Sequence, residues 1–456
     1  MSHRRLPLAL LVVLALAFRL AVVLSFHATA GDGAQYYKLA EQLRLTGRFA
    51  YARPPAPTTW SRLPGYPLFL AATSVFRRGP STVEEHTTRA VCTNAVLDVG
   101  TALLVFAMLE PAASALAAYL GFVLVVLCPI VVICSAHALT ESLATFLTTL
   151  VVFLCLRARE RRTLLPAMGA GVALGFLQLM RVDGFTVLPA ILVALCWRAG
   201  AASRRALVQV AAVGLAALVV WAPWPARNEL VFGAPHAEGT EWLAMDGTPL
   251  RNGVMTWMRS WASGQPGEGY HLMAMSLGAP LDVNRPGIVL PAMYDDGAER
   301  AQVVDVLNEY NAHHLSEKAD ARFIEMGRAR ARAHPFRHYV VLPCKRLLSL
   351  WTPVPVYEMS IRVPWLAMPQ AQRVYGAIEA MLFALCLLLL VTCFRDHARL
   401  CFAAASVIAA RSLLHATIAH PCPTERYVVE CVPLLLMCGA AGVAALRARA
   451  RRRPTA

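Results

Sequence analysis

An aspartate follows directly after the first long apolar stretch of the chain. Residues 6–26 are long enough to cross a bilayer, and the run Gly31-Asp32-Gly33-Ala34-Gln35-Tyr36-Tyr37 lies just beyond them. Asp is a common helix cap, which is the structural interpretation. A carboxylate between two glycines at a membrane exit also suits proton transfer on a substrate carried by a lipid. We therefore take Asp32 as a candidate catalytic residue and Tyr36 as a candidate substrate contact.

A second acid opens the fourth apolar stretch, in the run His137-Ala138-Leu139-Thr140-Glu141-Ser142. The positive end of a helix favours an acid at this position, so a structural role is open for Glu141. His137, one turn earlier, would share a helix face with it. We predict that Glu141 is catalytic and that His137 binds substrate. If a divalent metal is bound, Asp32 and Glu141 are its candidate ligands, and the sequence leaves that question undecided.

Several cations fall on the membrane side that the positive-inside bias normally depletes. A cluster of outer cations near the lipid headgroups would bind a phosphate or pyrophosphate, although any one alone would also serve as a snorkelling anchor. The candidate phosphate-binding residues are Arg62, Arg227, Lys345 and Arg426. Arg346 and Arg181 lie on the same side. The further substrate-binding candidates are Tyr66, Arg181, Asp183 and Glu425. For Arg181 and Asp183, two residues apart, a purely structural ion pair is the competing explanation.

The composition predicts a polytopic membrane protein. The 456 residues are 57% hydrophobic and 16% charged, whereas soluble domains are about 45–50% apolar. The net charge of +15 is concentrated in short segments between apolar stretches, so it reports topology and excludes a nucleic-acid partner. The basic segments are Arg4-Arg5, Arg157–Arg162, Arg198–Arg205, Arg395–Arg399 and Arg447–Arg453.

We predict an all-α integral membrane protein of about ten transmembrane helices with two large extracytoplasmic loops. The predicted spans are 6–26, 88–109, 114–135, 139–157, 164–180, 185–199, 206–225, 374–394, 398–418 and 427–447. An N-terminal transmembrane module, 1–225, contains the catalytic first loop, 27–87. An extracytoplasmic loop, 226–337, and a C-terminal transmembrane module, 338–456, follow. Both termini and all the basic segments then face the cytoplasm. Trp242, Trp257 and Trp261 in the second loop suit an interface or a lipid groove.

The sequence offers no obvious cofactor site. Most of the 12 cysteines lie inside predicted spans, and no Cys/His spacing is typical of zinc. Neither a phosphate-binding loop nor a dinucleotide fingerprint is present, so ATP and nucleotide sugars have no docking element. No cofactor is predicted with certainty, and a divalent metal stays open.

Six sequence elements, spread in order over nearly the whole chain, carry a family resemblance. They are GDGAQYYKLAEQL, RLPGYPLFLA, ALTESLATFL, APWPARNELVFGAP, KRLLSLW and TERYVVECVPLLL. Together they resemble the GT-C superfamily of membrane glycosyltransferases. The resemblance is to the bacterial group related to protein O-mannosyltransferases and lipid A aminoarabinose transferase. Gly33 and Gln35 depart from it, because relatives often carry a second acid at the first position and aminoarabinose transferases an Arg at the second.

The resemblance implies a mechanism. Its members use polyprenyl-phosphate sugars as donors and transfer the sugar at the outer membrane face. By this resemblance Asp32 is the general base, and Glu141 helps to bind a metal or orients the acceptor. Arg62 contacts the donor phosphate, with Lys345 and Arg426 as further partners, and a single displacement inverts the anomeric carbon.

We therefore predict a glycosyltransferase in the bacterial inner membrane, with its active site on the outer face. Its partners are a polyprenyl-phosphate sugar donor, the lipid bilayer and an acceptor, lipid, glycan or protein, that the sequence does not identify. An O-antigen ligase or polymerase is a second possibility, although such enzymes usually lack an acid placed like Asp32. A transporter or flippase of lipid-linked sugars is a third. Transporters tend to have inverted repeats and broken helices, and here the polar residues lie at one face without a repeat.

Overall fold

The computed structural model describes residues 5–28, 31–53, 58–59, 61–76, 79–197, 203–233, 235, 252–265, 267–276, 278–352, 368–419, 422 and 425–452. In these ranges every regular element is a helix, apart from an isolated bridge between Ala28 and His137. The all-α prediction is confirmed for this part of the chain. Trp242, Arg4, Arg198 and Arg453 lie outside the described residues.

The helices fall into two compact units, and the first comprises Met1–Glu238, Val354–Arg411 and Val428–Ala456. Its helices begin with α1 Arg5–Phe26, α2 Asp32–Thr46, α3 Gly65–Ala72, α4 Val83–Ala112, α5 Ala115–Leu127, α6 Pro129–Ser135, α7 Glu141–Arg161, α8 Leu165–Gln178, α9 Leu188–Cys196, α10 Arg204–Trp221 and α11 Pro223–Phe232. A 3₁₀ turn, Val182–Val187, precedes α9.

The second unit comprises Gly239–Pro353 and Ser412–Tyr427. It contains α12 Gly253–Arg259, α13 Gly269–Ser276, α14 Gly297–His313, α15 Glu317–Ala333 and α16 Leu342–Trp351. The chain then forms α17 Pro369–Leu414, which belongs to the first unit up to Arg411, and α18 Val432–Arg452 in the first unit. Short 3₁₀ turns, Glu425–Tyr427 and Val429–Cys431, precede α18.

Six helical stretches are long and apolar enough to cross a membrane. They are Pro7–Phe26, Val83–Ala112, Glu141–Arg161, Arg204–Phe232, Gln370–Ala419 and Val429–Arg451. The bent pair α5–α6 makes a seventh if it is one span, whereas α8 and Val182–Cys196 are apolar but shorter. The chain is a multi-pass membrane protein. These criteria give six or seven spans where the sequence analysis has ten, so the number ten stays a prediction.

The predicted span 114–135 is broken in its middle. Its two helices meet at Cys128–Pro129 with a bend of 52°. Proline has no N–H and clashes with the preceding turn, which explains the break. The buried carboxylate of Glu379 accepts a hydrogen bond of 2.7 Å from the Ile130 N–H at the start of α6. A distant side chain thus satisfies a backbone donor that the break exposes.

An ion pair is buried between α1 and α4. Arg19 and Asp98, both fully buried, approach to 3.3 Å. Arg19 also donates to the Val125 carbonyl at 3.1 Å and to the Ser135 hydroxyl at 3.3 Å. Charges inside a membrane span are expensive unless they are paired, which accounts for this arrangement. The expectation that polar residues lie only at one membrane face is therefore wrong, because this pair and Glu379 lie within helices long enough to span.

The second unit is built around aromatic side chains. Trp257 and Trp261 are 0% and 1% exposed, and their ring centroids lie 5.3 Å apart. The ring of Phe323 from α15 packs 5.1 Å from that of Trp257. The expectation that these tryptophans face an interface or a lipid groove is wrong, because both form the core of this unit.

Candidate functional site

Asp32 and Arg62 form an ion pair where the first membrane helix ends. Asp32 is the first residue of α2, and Gly31 before it has a φ of 52°, which glycine adopts without strain. Arg62 Nη2 donates to Asp32 Oδ1 at 2.5 Å, and its Nε donates to Gln35 Oε1 at 3.0 Å. The Asp32 side chain is 31% exposed and that of Arg62 24%. Both charges are therefore ordered by contacts yet open to a ligand.

Two tyrosines flank this pair. The Arg62 guanidinium lies 5.7 Å from the ring centroid of Tyr36, within the range of a cation–π contact. Tyr36 packs edge to face against the fully buried Tyr66 with centroids 5.1 Å apart. Burial raises the pKa of the Tyr66 hydroxyl, and the nearby Glu141 carboxylate raises it further. Tyr66 therefore stays protonated and lies between the exposed pair and a deeper set of charges.

A close backbone contact fixes Tyr66. The Gly65 N–H donates to the Leu179 carbonyl at 2.7 Å, at the start of α3. A Cβ on Gly65 would come within 2.7 Å of that oxygen, so no larger residue fits there without movement. This contact docks the Pro64-Gly65-Tyr66-Pro67 segment against the end of α8, immediately before Arg181.

Five residues form what we call the charge cluster: Glu141, Arg181, Asp183, Arg411 and Glu430. All are buried except Arg181, whose side chain is 10% exposed. Arg181 Nε lies 3.0 Å from both Asp183 Oδ1 and Glu430 Oε1, and its Nη1 lies 3.8 Å from Glu141 Oε1. Arg411 Nη2 lies 3.0 Å from Asp183 Oδ2 and 2.8 Å from Glu430 Oε1. Three acids thus share two arginines, which leaves the charge cluster with one excess negative charge when all are ionised.

The carboxylates keep Arg181 charged. Burial alone lowers the pKa of Arg181, but the charges of Asp183 and Glu430 outweigh it and hold the pKa well above its usual range. Removing one partner from a buried network of this kind leaves another buried charge unpaired, which typically lowers the free energy of unfolding by about 3–5 kcal/mol. The structural interpretation of the Arg181–Asp183 pair is therefore supported, and it extends to the three other residues of the charge cluster.

The sequence analysis missed Arg411 and Glu430. They come from α17 and from the turn before α18, inside the predicted spans 398–418 and 427–447. A charge inside an apolar run was the signal available, because such residues in membrane spans are rarely without a partner. Arg19, Asp98 and Glu379 carry the same signal.

His137 is engaged in local structure. Its Nδ1 lies 2.9 Å from the Ile133 carbonyl, and its own carbonyl accepts a bond of 2.9 Å from Asn94. α7 begins only at Glu141, so His137 and Glu141 do not share the helix face that the sequence analysis expects.

Arg227 connects to the first site through a chain of hydrogen bonds. Its Nη1 donates to the Thr59 carbonyl at 3.1 Å. The Thr59 hydroxyl donates to Ser61 at 3.0 Å, and Ser61 lies 2.8 Å from the Tyr51 hydroxyl. That hydroxyl in turn donates to Gln35 at 3.4 Å. The Arg227 guanidinium also lies 4.9 Å from the Trp224 ring and 5.1 Å from that of Phe232.

The other candidates belong to the second unit. Lys345 is exposed on α16. Glu425 is buried, and the Arg426 guanidinium lies 5.6 Å from the Tyr427 ring. Arg346, beside Lys345, is committed to structure: it donates to the carbonyls of Ala262 and Arg259 at 2.6 to 2.9 Å. Burial lowers the pKa of Arg346 to about 10.

The two predicted metal ligands do not fit a cation as they stand. Asp32 pairs with Arg62 and Glu141 faces Arg181, and each guanidinium would repel a cation at the same oxygen. Among the described residues, no group of three or more His, Cys, Asp or Glu side chains is arranged to hold a metal ion.

Residues 9–224 match the family model of dolichyl-phosphate-mannose-protein mannosyltransferase. The matched stretch is just under half of the chain and contains Asp32, Arg62, Glu141, Arg181 and Asp183. The resemblance to membrane glycosyltransferases that the sequence analysis states is confirmed over this stretch. No curated protein sequence matches the chain.

Several solved structures are similar at low identity. ArnT from Cupriavidus metallidurans bound to undecaprenyl phosphate is 14% identical with a TM-score of 0.41, and the match covers 97% of this chain and 79% of that one. The archaeal oligosaccharyltransferase AglB from Archaeoglobus fulgidus, with an inhibitory peptide and a dolichol-phosphate, is 12% identical with a TM-score of 0.49. That match covers 98% of this chain and 52% of AglB. Similarity at this level does not bear on the activity.

Proposed function

We propose, from the resemblance of residues 9–224 to the protein mannosyltransferase family, that the chain transfers a sugar from a polyprenyl phosphate to an outer-face acceptor. The observation that carries the proposal is the Asp32–Arg62 pair. It lies within the matched stretch, at the end of a membrane helix, and is partly exposed. A carboxylate and a guanidinium in contact provide a proton acceptor and a phosphate ligand at one place.

In the proposed reaction, the acceptor hydroxyl oxygen attacks the anomeric carbon of the sugar and Asp32 takes the hydroxyl proton. The bond from that carbon to the phosphate oxygen breaks, and its electron pair leaves with the polyprenyl phosphate. A single displacement inverts the anomeric carbon. Because arginine binds phosphate bidentately, the donor phosphate would draw Arg62 away from Asp32 and release the carboxylate for the acceptor.

The deeper charge cluster would act as support. The charge of Glu141 acts on the Tyr66 hydroxyl, whose pKa it raises after burial, and Tyr66 packs against Tyr36 at the Asp32–Arg62 pair. We propose that Glu141, Arg181 and Asp183 hold Tyr66 and Tyr36 in position beside the Asp32–Arg62 pair. His137 and Glu425 stay proposed substrate contacts. Arg227, Lys345 and Arg426 stay proposed phosphate contacts, and Arg227 is supported by its hydrogen-bond chain to Gln35.

The proposed topology is ten spans in a bacterial inner membrane with both termini inside. Two observations support the number. α17 has non-helical angles at His397, φ −132° and ψ 37°, which divide it into two segments. The kink makes two spans of the stretch Gln370–Ala419. The α5–α6 pair and the two shorter apolar helices add one span each, so that the six long stretches become ten spans.

A transporter of lipid-linked sugars is the alternative that a specific observation favours. The broken pair α5–α6, with Glu379 at its break, resembles the discontinuous helices of transporters. The buried Arg19–Asp98 pair adds a second set of charges at membrane depth. The activity experiment therefore has to separate transfer from transport.

The test compares wild type with Asp32→Asn in membranes at equal expression. Labelled polyprenyl-phosphate sugars, mannose among them, are supplied, and the release of free polyprenyl phosphate is measured. Loss of a general base should lower transfer about a hundredfold or more while donor binding is retained. Glu84→Gln is the matched control, because Glu84 is an exposed acid near the same loop and should transfer at the wild-type rate.

A rate for Asp32→Asn within a few-fold of wild type would contradict the role of Asp32. If wild type releases no polyprenyl phosphate but moves the labelled donor across a liposome membrane, the transporter proposal replaces the glycosyltransferase proposal.

A further inference from the structure

Two adjoining cavities lie in the first unit, far from the Asp32 site. The larger, of about 410 Å³, is bordered by α4, α7 and both sides of the kink in α17, and the smaller, of about 250 Å³, by α7, α10 and α17. Arg159 and Arg399 line both of them. Neither cavity is used in the proposed reaction.

Among the described residues, four arginines and no acid line the smaller cavity. Its lining residues are Arg159, Arg162, Ser203, Arg205, Gln209 and Arg399. Of these arginines only Arg399 has a carboxylate within reach among the described residues, Glu160 at 3.6 Å. Like charges gathered around one space repel each other, so an anion in that space would be stabilised by all four.

Two details show that the lining of the smaller cavity is held by specific structural features. Gln209 is 1% exposed, and its Nε2 donates to the carbonyls of Ala158 and Thr163, which fixes it against the end of α7. Arg162 holds a left-handed backbone, φ 57° and ψ 30°, at the end of α7. Such a conformation in a non-glycine residue costs free energy and is concentrated at functional sites.

The larger cavity adds apolar surface. Met108, Phe153, Leu156 and Trp197 line it together with charged residues, Arg157, Arg395, Glu160 and Asp396. Both acids are paired, Glu160 with Arg157 and Arg399 and Asp396 with Arg449. The Trp197 ring packs at 4.6 Å on Phe402, and the Arg157 guanidinium lies 5.3 Å from the Phe153 ring. A free anion needs no apolar wall, whereas a lipid presents an acyl chain beside its phosphate. The lining therefore fits a lipid headgroup better than inorganic phosphate.

The position suits a lipid as well. α7 has 21 residues, so Arg159 near its end lies about 27 Å from Glu141 at its start. That distance is about the thickness of the hydrocarbon core. The cavities therefore open at the membrane boundary opposite the Asp32 site.

We infer that the two cavities form a site for the phosphate headgroup of an anionic phospholipid. The guanidinium groups of Arg159, Arg162, Arg205 and Arg399 bind the phosphate, and the lining around Trp197 contacts the first part of the acyl chains. Basic pockets between membrane helices are known to take such headgroups. The general excess of arginine at one membrane side does not explain why these four converge on one space.

The test measures lipid binding by the detergent-solubilised full chain. Native mass spectrometry gives the affinity for phosphatidylglycerol and for phosphatidylcholine, in wild type and in Arg159→Gln/Arg399→Gln. We expect wild type to prefer phosphatidylglycerol, and the double variant to lose at least about tenfold in that affinity. Arg447→Gln/Arg451→Gln is the matched control, since it removes the same charge from exposed positions on α18 and should stay within about twofold of wild type.

A second variant separates binding from folding. Arg162→Gly removes a guanidinium and relieves the left-handed strain, so its melting temperature should not fall while its lipid affinity does. An equal loss in the control pair, or no loss in either cavity variant, would overturn the site. Thermal protection by inorganic phosphate alone, equal to that by phosphatidylglycerol, would overturn the assignment to a lipid.

Discussion

Arg411 joins parts of the chain that lie far apart in sequence. It reaches Asp183, 228 residues away, and Glu430, 19 residues away, and also donates to the Thr186 hydroxyl at 3.2 Å. α17 thereby contributes the second cation to a charge cluster that otherwise holds three acids and Arg181. The arrangement makes Arg411 a structural partner of residues that sequence reasoning places in the active site.

Replacing Arg411 should destabilise the protein strongly. Arg411→Gln leaves three buried acids with one arginine, so we expect the free energy of unfolding to fall by about 3–5 kcal/mol. Thermal or denaturant unfolding of the purified chain in micelles measures it. The double variant Arg411→Gln/Asp183→Asn should lose less unfolding free energy than the sum of the losses in the two single variants. In the double variant, the carboxylate of Asp183 that removal of Arg411 would leave unpaired is no longer present. Strictly additive losses would contradict the contact.

At the residue scale, the sequence predicts what is local. Arg181 and Asp183 are two residues apart, so their pairing can be inferred without a structure. The approach of Arg62 to Asp32, 30 residues apart, follows from the family resemblance but not from spacing. The pairing of Arg411 with Asp183 depends on how separate spans pack, and the sequence of either span alone carries no information on that.

At the scale of elements, α3 is a short helix whose position depends on one glycine. Gly65 lies against the backbone at the end of α8. Tyr66, the next residue, lies between the Asp32–Arg62 pair and the charge cluster. The stretch 63–76, short and opening with Leu63-Pro64-Gly65-Tyr66-Pro67, predicts a juxtamembrane or re-entrant helix, and a helix at Gly65–Ala72 is found within it. Its docking partner, Leu179, is a tertiary fact that local pattern does not contain.

A methyl group at position 65 should therefore be damaging. In Gly65→Ala the new Cβ would meet the Leu179 oxygen at 2.7 Å, and we expect a loss of about 1–3 kcal/mol in unfolding free energy. Gly214→Ala in α10 is the matched control. A Cβ there meets nothing within 4 Å, and alanine stabilises a helix by up to about 1 kcal/mol over glycine. Melting temperatures of the two variants should move in opposite directions; a shift in the same direction would refute the docking.

On the scale of the whole molecule, the second unit contains a group of ion pairs around one acid, Asp295. Asp295 contacts Arg330, Arg337 and His334 at 2.8 to 3.3 Å, at the end of α15 and just beyond it. Partial burial raises the pKa of Asp295, but the hydrogen bond from Arg337 and the charges of Arg330 and Arg337 lower it more, so that it falls below the usual 3.8.

This shift predicts acid sensitivity of the second unit. A carboxyl group whose pKa is lowered by folding stabilises the fold above its unfolded pKa. The contribution is lost as the pH falls through the lower folded value, so we expect loosening of this unit only below about pH 4. Tryptophan fluorescence follows it, because Trp257 and Trp261 are buried there. Asp295→Asn should flatten the pH dependence, whereas Glu325→Gln, an exposed acid of α15, should leave it unchanged. Equal profiles in all three proteins would contradict the role of Asp295.

Composition and hydropathy are sufficient to predict a multi-pass all-α protein, because the bilayer requires long apolar helices with satisfied backbones. They do not predict how the break at Cys128–Pro129 is stabilised, or the burial of Trp257 and Trp261. The Ile130 N–H at the break bonds a carboxylate 249 residues away, and the two tryptophans are buried by packing among the helices of the second unit.

The Arg19–Asp98 pair has a consequence for how the chain is made. Synthesis runs from the N-terminus, so α1 meets the insertion machinery before Asp98 of α4 has been translated. During that interval Arg19 is a lone cation in the first span, at a cost of about 2.5–3.5 kcal/mol if it lies near the helix centre. The leucines and valines around it contribute about 0.3–0.6 kcal/mol each in the opposite direction. The high apolar content of α1, with a mean hydropathy of 2.7, therefore allows this helix to insert before Asp98, the counter-ion of Arg19, has been synthesised.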